Sequence, residues 1–557
     1  MKDRLLIAIL LAAAALVYAN TLRNQFTMDD GLYVLGNPQI TQPSLQSLFS
    51  ENKIASIYRP ITFAAIALNW SLGETEPLGY HLLNLLLHAA VVWLLFLLLQ
   101  EIFNGHPQGI NVAFAAALLF AVHPIHTEAI ASVMGRAELL AAGFLLAGWI
   151  LHLRDREIPA LLCFALAMLS KESAVAALPL VLLGDTATGR WKSRLRYAGV
   201  AGVTVLYLAL LRYAQGGRLG RPSISLMDNP LASLPPAWRI LNALRVAWKY
   251  VWLHFYPMAL SCDYSFNQIP MYRDWRHTLP AALAAAAVVA LWIWGIRNRH
   301  TGLIVAGGIY LAGFAVTANI LVPTGTIMGE RLAYLPSAGF CVLVALAWSW
   351  LRDRQQTLAW GLLIVASLAL AARTVARNTD WKDNLALYSS AVRAVPGSAK
   401  MHANLGGEYL SRNQFDLARN ELQIALRIYP DSPDTLAALG LLESRQGNYQ
   451  AAGALMEKAL YTSARDNPHY DPMVVDFSVI LSKTNHVDAA LDFLNREIAE
   501  APGFARAWST RASIRPQRNE LAPARADAEV ALRLNPADAQ AQQILRQLDA
   551  AVPARAH

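Results

Sequence analysis

Long apolar runs separated by short polar clusters fill the chain up to about residue 376, and they constrain its fold more than any other feature. A helix needs about 20 mostly apolar residues to cross a membrane, or fewer where polar side chains at its ends reach the interface. Candidate crossings lie near 5–20, 80–100, 111–122, 137–153, 158–169, 174–186, 196–213, 279–296, 302–322, 335–351 and 357–375. The sequence therefore predicts an all-α, polytopic membrane domain of about 11 transmembrane helices over residues 1–376.

The basic residues predict which loops face the cytoplasm, because Lys and Arg concentrate in short cytoplasmic loops. With the N-terminus inside, the basic clusters 154–156, 190–196, 297–299 and 352–354 all follow even-numbered crossings. These loops account for the net charge of +8, so we do not infer nucleic-acid binding from it. The loops predicted to lie outside are 21–79, 123–136, 170–173, 214–278 and 323–334.

Two segments allow a second interpretation. Residues 240–258 are apolar enough to cross, but they carry Arg245 and Lys249, and a crossing there would place the basic cluster 297–299 outside. We therefore interpret them as an interfacial or re-entrant helix on the outer face. The first apolar run follows Met1-Lys2-Asp3-Arg4 and fits a signal peptide, but the many later crossings favour a retained first helix.

Cysteine and arginine usage bear on the cellular setting. Cys163, Cys262 and Cys341 are far apart, so they indicate neither a disulfide framework nor a metal-binding spacing. Arg is abundant and Lys is scarce, which is typical of a GC-rich bacterial source. We therefore expect a multi-pass protein of a bacterial inner membrane.

The rest of the chain, 377–557, has the composition of a soluble helical domain with a 34-residue repeat. Small residues recur at the same positions of two clear copies, which are Gly406, Ala418 and Ala425, then Gly440, Ala452 and Ala459. Weaker copies follow, and 381–396 fits the second helix of a partial preceding copy. This is the tetratricopeptide (TPR) period. Residues 377–557 are predicted to form a TPR α-solenoid with a concave binding face, outside the cytoplasm.

Unusual polar residues gather in the predicted outer loops. Two adjacent carboxylates, Asp29 and Asp30, follow the first crossing. The later outer loops contribute Arg59, His123, His126, Glu128, Arg136, Glu138, Lys171, Glu172, Glu330, Arg331 and Tyr334. Acids, histidines and cations at one membrane interface suit an anionic, lipid-linked substrate, because the planar fork of Arg matches phosphate oxygens.

Each of these residues also fits an ordinary structural role. The pair Asp29-Asp30 fits a solvated loop, and Lys171 with Glu172 fits an ion pair that holds a helical hairpin. His123 and His126 have the i, i+3 spacing of metal ligands, but also of interfacial histidines that bond the backbone. The arginines fit side chains that reach from helix ends to the interface. Their convergence on one face is what favours a reaction centre.

Seven stretches carry a more specific signal: Asp29-Asp30, 58–62, 79–88, 120–129, 135–140, 169–172 and 330–337. Their order, followed by the repeats, resembles the transmembrane and tetratricopeptide-repeat-containing O-mannosyltransferases of the GT-C class of membrane glycosyltransferases. The resemblance spans nearly the whole chain, and the block from His123 to Leu140 is its most specific part. The repeat array is shorter than in many members of that family.

The resemblance implies a polyprenyl-phosphate sugar donor, commonly of mannose, and a protein acceptor hydroxyl outside the cytoplasm. It implies inverting transfer with a first-loop Asp as base, and we expect this to be Asp29, with Asp30 beside it. The donor phosphate would be bound by Arg59, His123, His126, Arg136, Lys171 and Arg331, supported by Glu128, Glu138, Glu172, Glu330 and Tyr334. Some GT-C enzymes hold a divalent metal at the first-loop Asp and others do not, so a metal at Asp29 is left open.

Two other classes of function are also open. An O-antigen ligase-like or other polyprenol-linked glycan transferase would use a glycan or lipid acceptor and would keep its essential residues in a large late outer loop. A transporter, or an assembly platform whose repeats dock partners, would place ionisable groups near mid-membrane, often in inverted repeats. Here those groups gather at one interface, which favours the protein glycosyltransferase.

Reporter fusions test the predicted topology. A reporter that works only outside the cytoplasm should be active after Pro396 and inactive at Arg194, because an odd number of predicted crossings precedes Pro396. Reporter activity in whole cells, normalised to expression, is the measurement. An active fusion at Arg194, or an inactive one after Pro396, contradicts the eleven-crossing arrangement.

Overall fold

The computed structural model describes residues 2–52, 57–217, 224–465, 467 and 469–551, and these are helical with no named strand. A single isolated bridge pairs Asn52 with Ile57 within this part of the chain. The predicted all-α class is therefore confirmed. By their internal contacts the residues form two compact units, Met1–Ser398 and Ala399–His557.

The described part of the first unit contains seventeen α-helices. They are α1 (Lys2–Tyr18), α2 (Pro38–Thr41), α3 (Leu45–Leu48), α4 (Pro60–Gly73), α5 (Pro77–Ile102), α6 (Gly109–Val122), α7 (Thr127–Ala131), α8 (Arg136–Leu153), α9 (Glu157–Ser170), α10 (Ala177–Thr188), α11 (Arg194–Ala214), α12 (Pro236–Phe255), α13 (Trp275–Arg297), α14 (Thr301–Phe314), α15 (Tyr334–Arg352), α16 (Gln356–Asp380) and α17 (Asn384–Ala394). Short 3₁₀ turns over Pro124–His126, Glu172–Ala176 and Glu330–Ala333 precede α7, α10 and α15.

Each of the eleven predicted crossings overlaps a helix, although the helix within 302–322 ends at Phe314, and not all of these helices are long enough to cross a membrane. Among the described residues seven helices are long and apolar enough, and an eighth span arises if the bent pair Gly109–Val122 and Pro124–Ala131 is one span. Helices α9, α10 and α14 have only 12 to 14 residues each. A multi-pass membrane protein is confirmed, with seven or eight candidate spans by length and composition.

Helix α12 covers most of the ambiguous segment 240–258, and it is not among the candidate spans. It is amphipathic: Tyr250 and His254 are buried, whereas Trp248 and Trp252 are at least half exposed. Trp is favoured at membrane–water interfaces. The amphipathic pattern agrees with the interpretation of an interfacial helix.

Glycines set the closest approaches in the first unit. A Cβ at Gly339 of α15 would collide with the main chain of Ala306 and Tyr310 on α14, so these two helices pack backbone to backbone. A Cβ at Gly135 would strike the carbonyl of Ala129. The turn between α7 and α8 is therefore tight, and it fixes the start of α8 where Arg136 lies.

The second unit consists of helix pairs that match the 34-residue repeat. Its helices are α18 (Ala399–Ser411), α19 (Phe415–Ile428), α20 (Pro433–Arg445), α21 (Tyr449–Thr462), α22 (Tyr470–Lys483), α23 (Val487–Glu500), α24 (Ala505–Ile514), α25 (Leu521–Leu534) and α26 (Ala539–Ala551). The predicted small residues form the seams, since Ala418, Ala425, Ala452 and Ala459 are fully buried. The predicted TPR solenoid is confirmed.

The predicted domain boundary at residue 376 stays a prediction, but the compact units part later, after Ser398. Helix α17, which matches the predicted partial repeat, lies within the first unit. The segment before it bonds the start of the chain: the Asn378 side chain donates to the Val17 carbonyl (2.9 Å), and the Gln25 amide donates to the Lys382 carbonyl (2.9 Å).

Two truncations test where the first unit ends. A chain ending at Ser398 should keep the first unit folded, whereas one ending at Arg377 loses Asn378 and leaves buried polar groups unpaired, at a cost of about 1–3 kcal/mol each. The melting temperature and monodisperse yield in detergent are the measurements. Equal stability of the two truncated chains would refute the later boundary.

Candidate active site

Two of the predicted outer-loop carboxylates, Asp29 and Glu128, contact Arg331. Its Nη1 lies 3.7 Å from Asp29 Oδ2 and 3.2 Å from Glu128 Oε1, and its main-chain amide donates to Glu128 Oε2 (2.9 Å). The side chains of Asp29 and Arg331 are 35% and 30% exposed, whereas that of Glu128 is 1% exposed. Tertiary folding thus brings the first loop, α7 and the turn before α15 to one partly open point.

Asp30 has a different environment from Asp29, because it is fully buried. Its Oδ1 accepts hydrogen bonds from the Ser132 hydroxyl (3.2 Å) and the Met134 amide (3.2 Å), and its Oδ2 accepts one from the Thr27 amide (3.3 Å). Burial raises the pKa of Asp30 to about 6, against the lowering effect of its backbone hydrogen bonds. Asp30 therefore holds the first loop onto the turn before α8, and it leaves Asp29 as the exposed member of the pair.

Arg59 and Lys171 are engaged in ion pairs. Arg59 forms a two-point pair with Glu172, with Nη2–Oε1 at 2.6 Å and Nε–Oε2 at 2.9 Å. Lys171 is buried and pairs with Glu138 at the start of α8. The structural alternative named an ion pair between Lys171 and Glu172, but each of these residues pairs with a different partner. The predicted role of Arg59 and Lys171 at the donor phosphate stays a prediction.

Arg136 is fully buried and braces three helices. Its Nε donates to Asn84 Oδ1 (2.9 Å), its Nη1 to the Ala65 carbonyl (2.9 Å) and its Nη2 to the Tyr80 carbonyl (3.0 Å). These partners lie on α4 and α5, and Arg136 itself begins α8. The arrangement is structural, and the predicted contact between Arg136 and the donor phosphate has no geometric support.

His123 and His126 lie inside the protein, in an aromatic cluster. The His123 ring accepts from the Ile125 amide (3.2 Å), and its Nε2 lies 3.1 Å from the His254 carbonyl. His126 Nε2 lies 2.7 Å from the Ser337 hydroxyl. The described residues contain no group of three or more His, Cys, Asp or Glu side chains that could hold a metal ion. The backbone-bonding alternative matches the contacts of His123, whereas His126 contacts a serine side chain.

The supporting residues Glu330 and Tyr334 also have internal partners. Buried Glu330 accepts from the Tyr264 hydroxyl (2.7 Å), and its Oε2 lies 3.6 Å from Arg377 Nη2. The Tyr334 hydroxyl lies 2.8 Å from His88 Nδ1. Sequence reasoning missed Arg377, although an Arg at the end of an apolar run is a signal that could have found it.

A cleft opens beside the ion pairs, between α8, the turn before α10, α14 and α15. Its empty space is about 360 Å³, open solvent included. It is lined by Glu138, Ala141, Ala142, Leu145, Ser173, Ala174, Gly313, Thr317, Leu332, Leu335 and Pro336. The lining is mostly apolar with a carboxylate at one end.

The fold and the charged cluster define a multi-pass membrane protein with a TPR array. Sequence relatives agree with this class. The chain is 33% identical over 423 residues to "Protein O-mannosyl-transferase F38B6.6" of Caenorhabditis elegans, covering 72% of the chain and 59% of the relative. It is 27% identical over 573 residues to "Protein O-mannosyl-transferase TMTC3" of Homo sapiens, covering 91% of the chain and 62% of the relative.

The predicted resemblance to the TMTC O-mannosyltransferases is therefore confirmed, and the chain is a homologue of these proteins. It spans about three fifths of the length of the relatives that it matches. No family model matches the chain.

Solved structures match at low similarity. "Crystal structure of YrrB: a TPR protein with an unusual peptide-binding site" is 16% identical, with a TM-score of 0.25, over 36% of this chain and 98% of that protein. "Crystal structure of APC/C hetero-tetramer Cut9-Hcn1" is 15% identical, with a TM-score of 0.30, over 91% of this chain and 99% of that one. TM-scores of this size carry no argument about function.

The different environments of the two adjacent acids predict different effects on stability. Asp30→Ala leaves one hydroxyl and two amides without their acceptor and should lower the unfolding free energy by about 1–3 kcal/mol. Asp29→Ala is the matched control and should change it by no more than about 0.5 kcal/mol. Denaturant unfolding of the protein in detergent is the measurement.

The loss of stability caused by Asp30→Ala should also depend on pH. Burial raises the pKa of Asp30 from 3.8 in the unfolded chain to about 6 in the fold. Its contribution to stability is therefore complete below pH about 4 and declines as the pH rises through about 6. The loss caused by Asp30→Ala should be larger at pH 4 than at pH 7, and a loss that grows with pH contradicts the burial of this carboxyl.

Proposed function

We propose that the chain is a membrane glycosyltransferase that moves a sugar from a polyprenyl-phosphate donor to hydroxyl groups of a protein outside the cytoplasm. Mannose is the expected sugar, because the relatives carry the name protein O-mannosyl-transferase. The observation that supports this most is the pairing of a partly exposed carboxylate, Asp29, with a partly exposed guanidinium, Arg331.

Asp29 is the proposed base in a single displacement. The acceptor oxygen forms a bond to the anomeric carbon while the bond between that carbon and the phosphate oxygen breaks, which inverts the configuration. The hydroxyl proton passes to Asp29, and the polyprenyl phosphate leaves as an anion. Asp30 acts indirectly, since its buried hydrogen bonds hold the loop that presents Asp29.

Arg331 is the proposed partner of the departing phosphate. A guanidinium has five N–H donors in a planar fork. In this chain the Glu128 carboxylate orients Arg331, because it contacts both the main-chain amide and the guanidinium of that residue. Charge that develops on the leaving phosphate is stabilised by a cation that is already in position. Lys171 and Arg59 lie in the neighbouring ion pairs and are proposed to contribute to donor binding from there.

A metal ion does not fit well between the carboxylates of this cluster. Arg331 Nη1 already lies within 3.7 Å of Asp29 and 3.2 Å of Glu128. A divalent cation bound by both carboxylates would have to displace a guanidinium of like charge. We therefore derive no step through a metal, and chelator treatment of the active protein addresses the question directly.

The TPR array is proposed to orient the protein acceptor. TPR arrays present extended concave surfaces for binding, and the second unit has the helix pairs that such a surface needs. The active site and the array are proposed to share the outer side of the membrane, which in a bacterium is the periplasmic side.

The proposed roles of Asp29 and Arg331 predict the effects of three substitutions. Asp29→Asn keeps the side-chain shape but cannot accept the proton, so it should lower the transfer rate by about 10²–10⁴-fold with unchanged donor binding. Arg331→Ala should weaken donor use, and Arg331→Lys should restore it only in part, because the planar fork is lost. The assay is transfer from a synthetic polyprenyl-phosphate sugar, with and without a chelator.

Two outcomes would reject the assignment. Near-normal turnover by Asp29→Asn rejects Asp29 as the base, and near-normal turnover by Asp30→Asn as well removes the first loop from the chemistry. If Arg331→Ala is inactive at the same time, the late-loop, ligase-like transferase becomes the better explanation, since Arg331 belongs to the predicted loop 323–334.

A further inference from the structure

We infer that Asn384, the first residue of α17, is a positioning residue that fixes Asp29 through the main chain of Met28. This rests on the proposed role of Asp29 as the base. The Met28 amide donates to Asn384 Oδ1 at 2.8 Å. Asn384 is 356 positions away in the sequence, in the segment that joins the apolar helices to the repeats.

The stretch that leads to Asp29 needs such an external contact because it has no regular structure of its own. Residues 24–27 form no helix, and Met28 adopts a left-handed backbone conformation with φ of 52°. This conformation is uncommon for a residue with a side chain, and it persists only where the surroundings impose it. The amide of this strained residue, which directly precedes Asp29, donates its hydrogen bond to Asn384.

A second set of contacts joins the same two segments. The Gln25 amide donates to the Lys382 carbonyl at 2.9 Å, and the Asn24 side chain donates to the Asn378 carbonyl at 3.3 Å. The start of the first loop, from Asn24 to Met28, is therefore bonded to residues 378–384. The contact at Asn384 is not isolated.

Asn384 is itself held rigidly. It begins α17, and the preceding residue, Asp383, caps that helix by accepting from the Ala386 amide at 2.9 Å. Trp381, in the same turn, is 1% exposed. An acceptor at the start of a capped helix moves little, so the Asn384 oxygen can hold the Met28 amide in one position.

Asp29 thus lies between two fixed points. On one side Asn384 holds the Met28 amide, and on the other the buried Asp30 carboxylate holds Ser132 and Met134. Without Asn384 the loop keeps the Asp30 side but is free to leave the left-handed conformation at Met28. A displacement of about 1 Å at a reacting group can reduce the rate by about 10²-fold.

The test compares three changes in the full-length protein. Asn384→Ala removes the acceptor. Asn384→Asp keeps an acceptor oxygen at the same place. Asn298→Ala makes the same chemical change as the first at the exposed end of α13, where the side chain bonds the Trp294 carbonyl of its own helix, and it serves as the matched control.

Two measurements are made on each variant, hydrogen exchange at the Met28 amide and transfer kinetics with a synthetic polyprenyl-phosphate mannose. Asn384→Ala should speed exchange at Met28 at least about tenfold, because the amide loses its acceptor. It should lower kcat by about 10- to 100-fold with little change in KM for the donor. Asn384→Asp should restore the slow exchange and most of kcat, and Asn298→Ala should match the wild type in both.

Slow exchange at Met28 in Asn384→Ala overturns the contact, and faster exchange with unchanged kcat overturns its positioning role. If the alanine variant does not fold, Asn384→Gln replaces it, since the amide is kept but its oxygen is moved by one methylene. The exchange measurement does not depend on the chemistry of Asp29. Failure of the proposed function, seen as turnover by Asp29→Asn, is therefore distinguishable from failure of this inference.

Discussion

The buried carboxylate of Asp30 is the interaction on which the arrangement of the outer loops depends. A carboxylate without water must have its lone pairs satisfied by donors, and here the donors are one hydroxyl and two amides. Two of them belong to the turn between α7 and α8, which Gly135 makes tight enough to form. The stretch around Asp29 and Asp30 therefore has a fixed position on the helices, although residues 24–29 form no helix.

The other buried charged groups also need partners inside the protein. Arg136, Lys171, Glu330 and Arg377 are all buried, and each has an oppositely charged or hydrogen-bonding partner. A buried ion pair contributes little net stability, but removing one partner is costly. Such pairs specify which helix ends meet. Asp29 and Arg331 remain 35% and 30% exposed, and this accessibility supports placing the chemistry there. Glu172 is 40% exposed, but it is held in its two-point pair with Arg59.

The segment 378–398 has a position that its sequence did not indicate. Its helix matches the second helix of a repeat, yet it lies in the compact unit that contains the apolar helices. It supplies the oxygens that hold Asn24, Gln25 and Met28. Residues near the end of the first unit therefore help to hold the first loop, which lies near the start of the chain.

The sequence alone determined the helical class, the apolar segments, the 34-residue repeat and the family resemblance, because these are periodic or local patterns. It also named Asp29, Glu128 and Arg331 among thirteen candidates, but it could not show how their burial differs from that of Arg136, His123 or His126. Only the tertiary structure shows that difference, since burial and pairing depend on contacts between distant residues such as Arg331 with Asp29. For the same reason Asn384 gave no usable signal in the sequence: its contact with Met28 joins residues that are 356 positions apart.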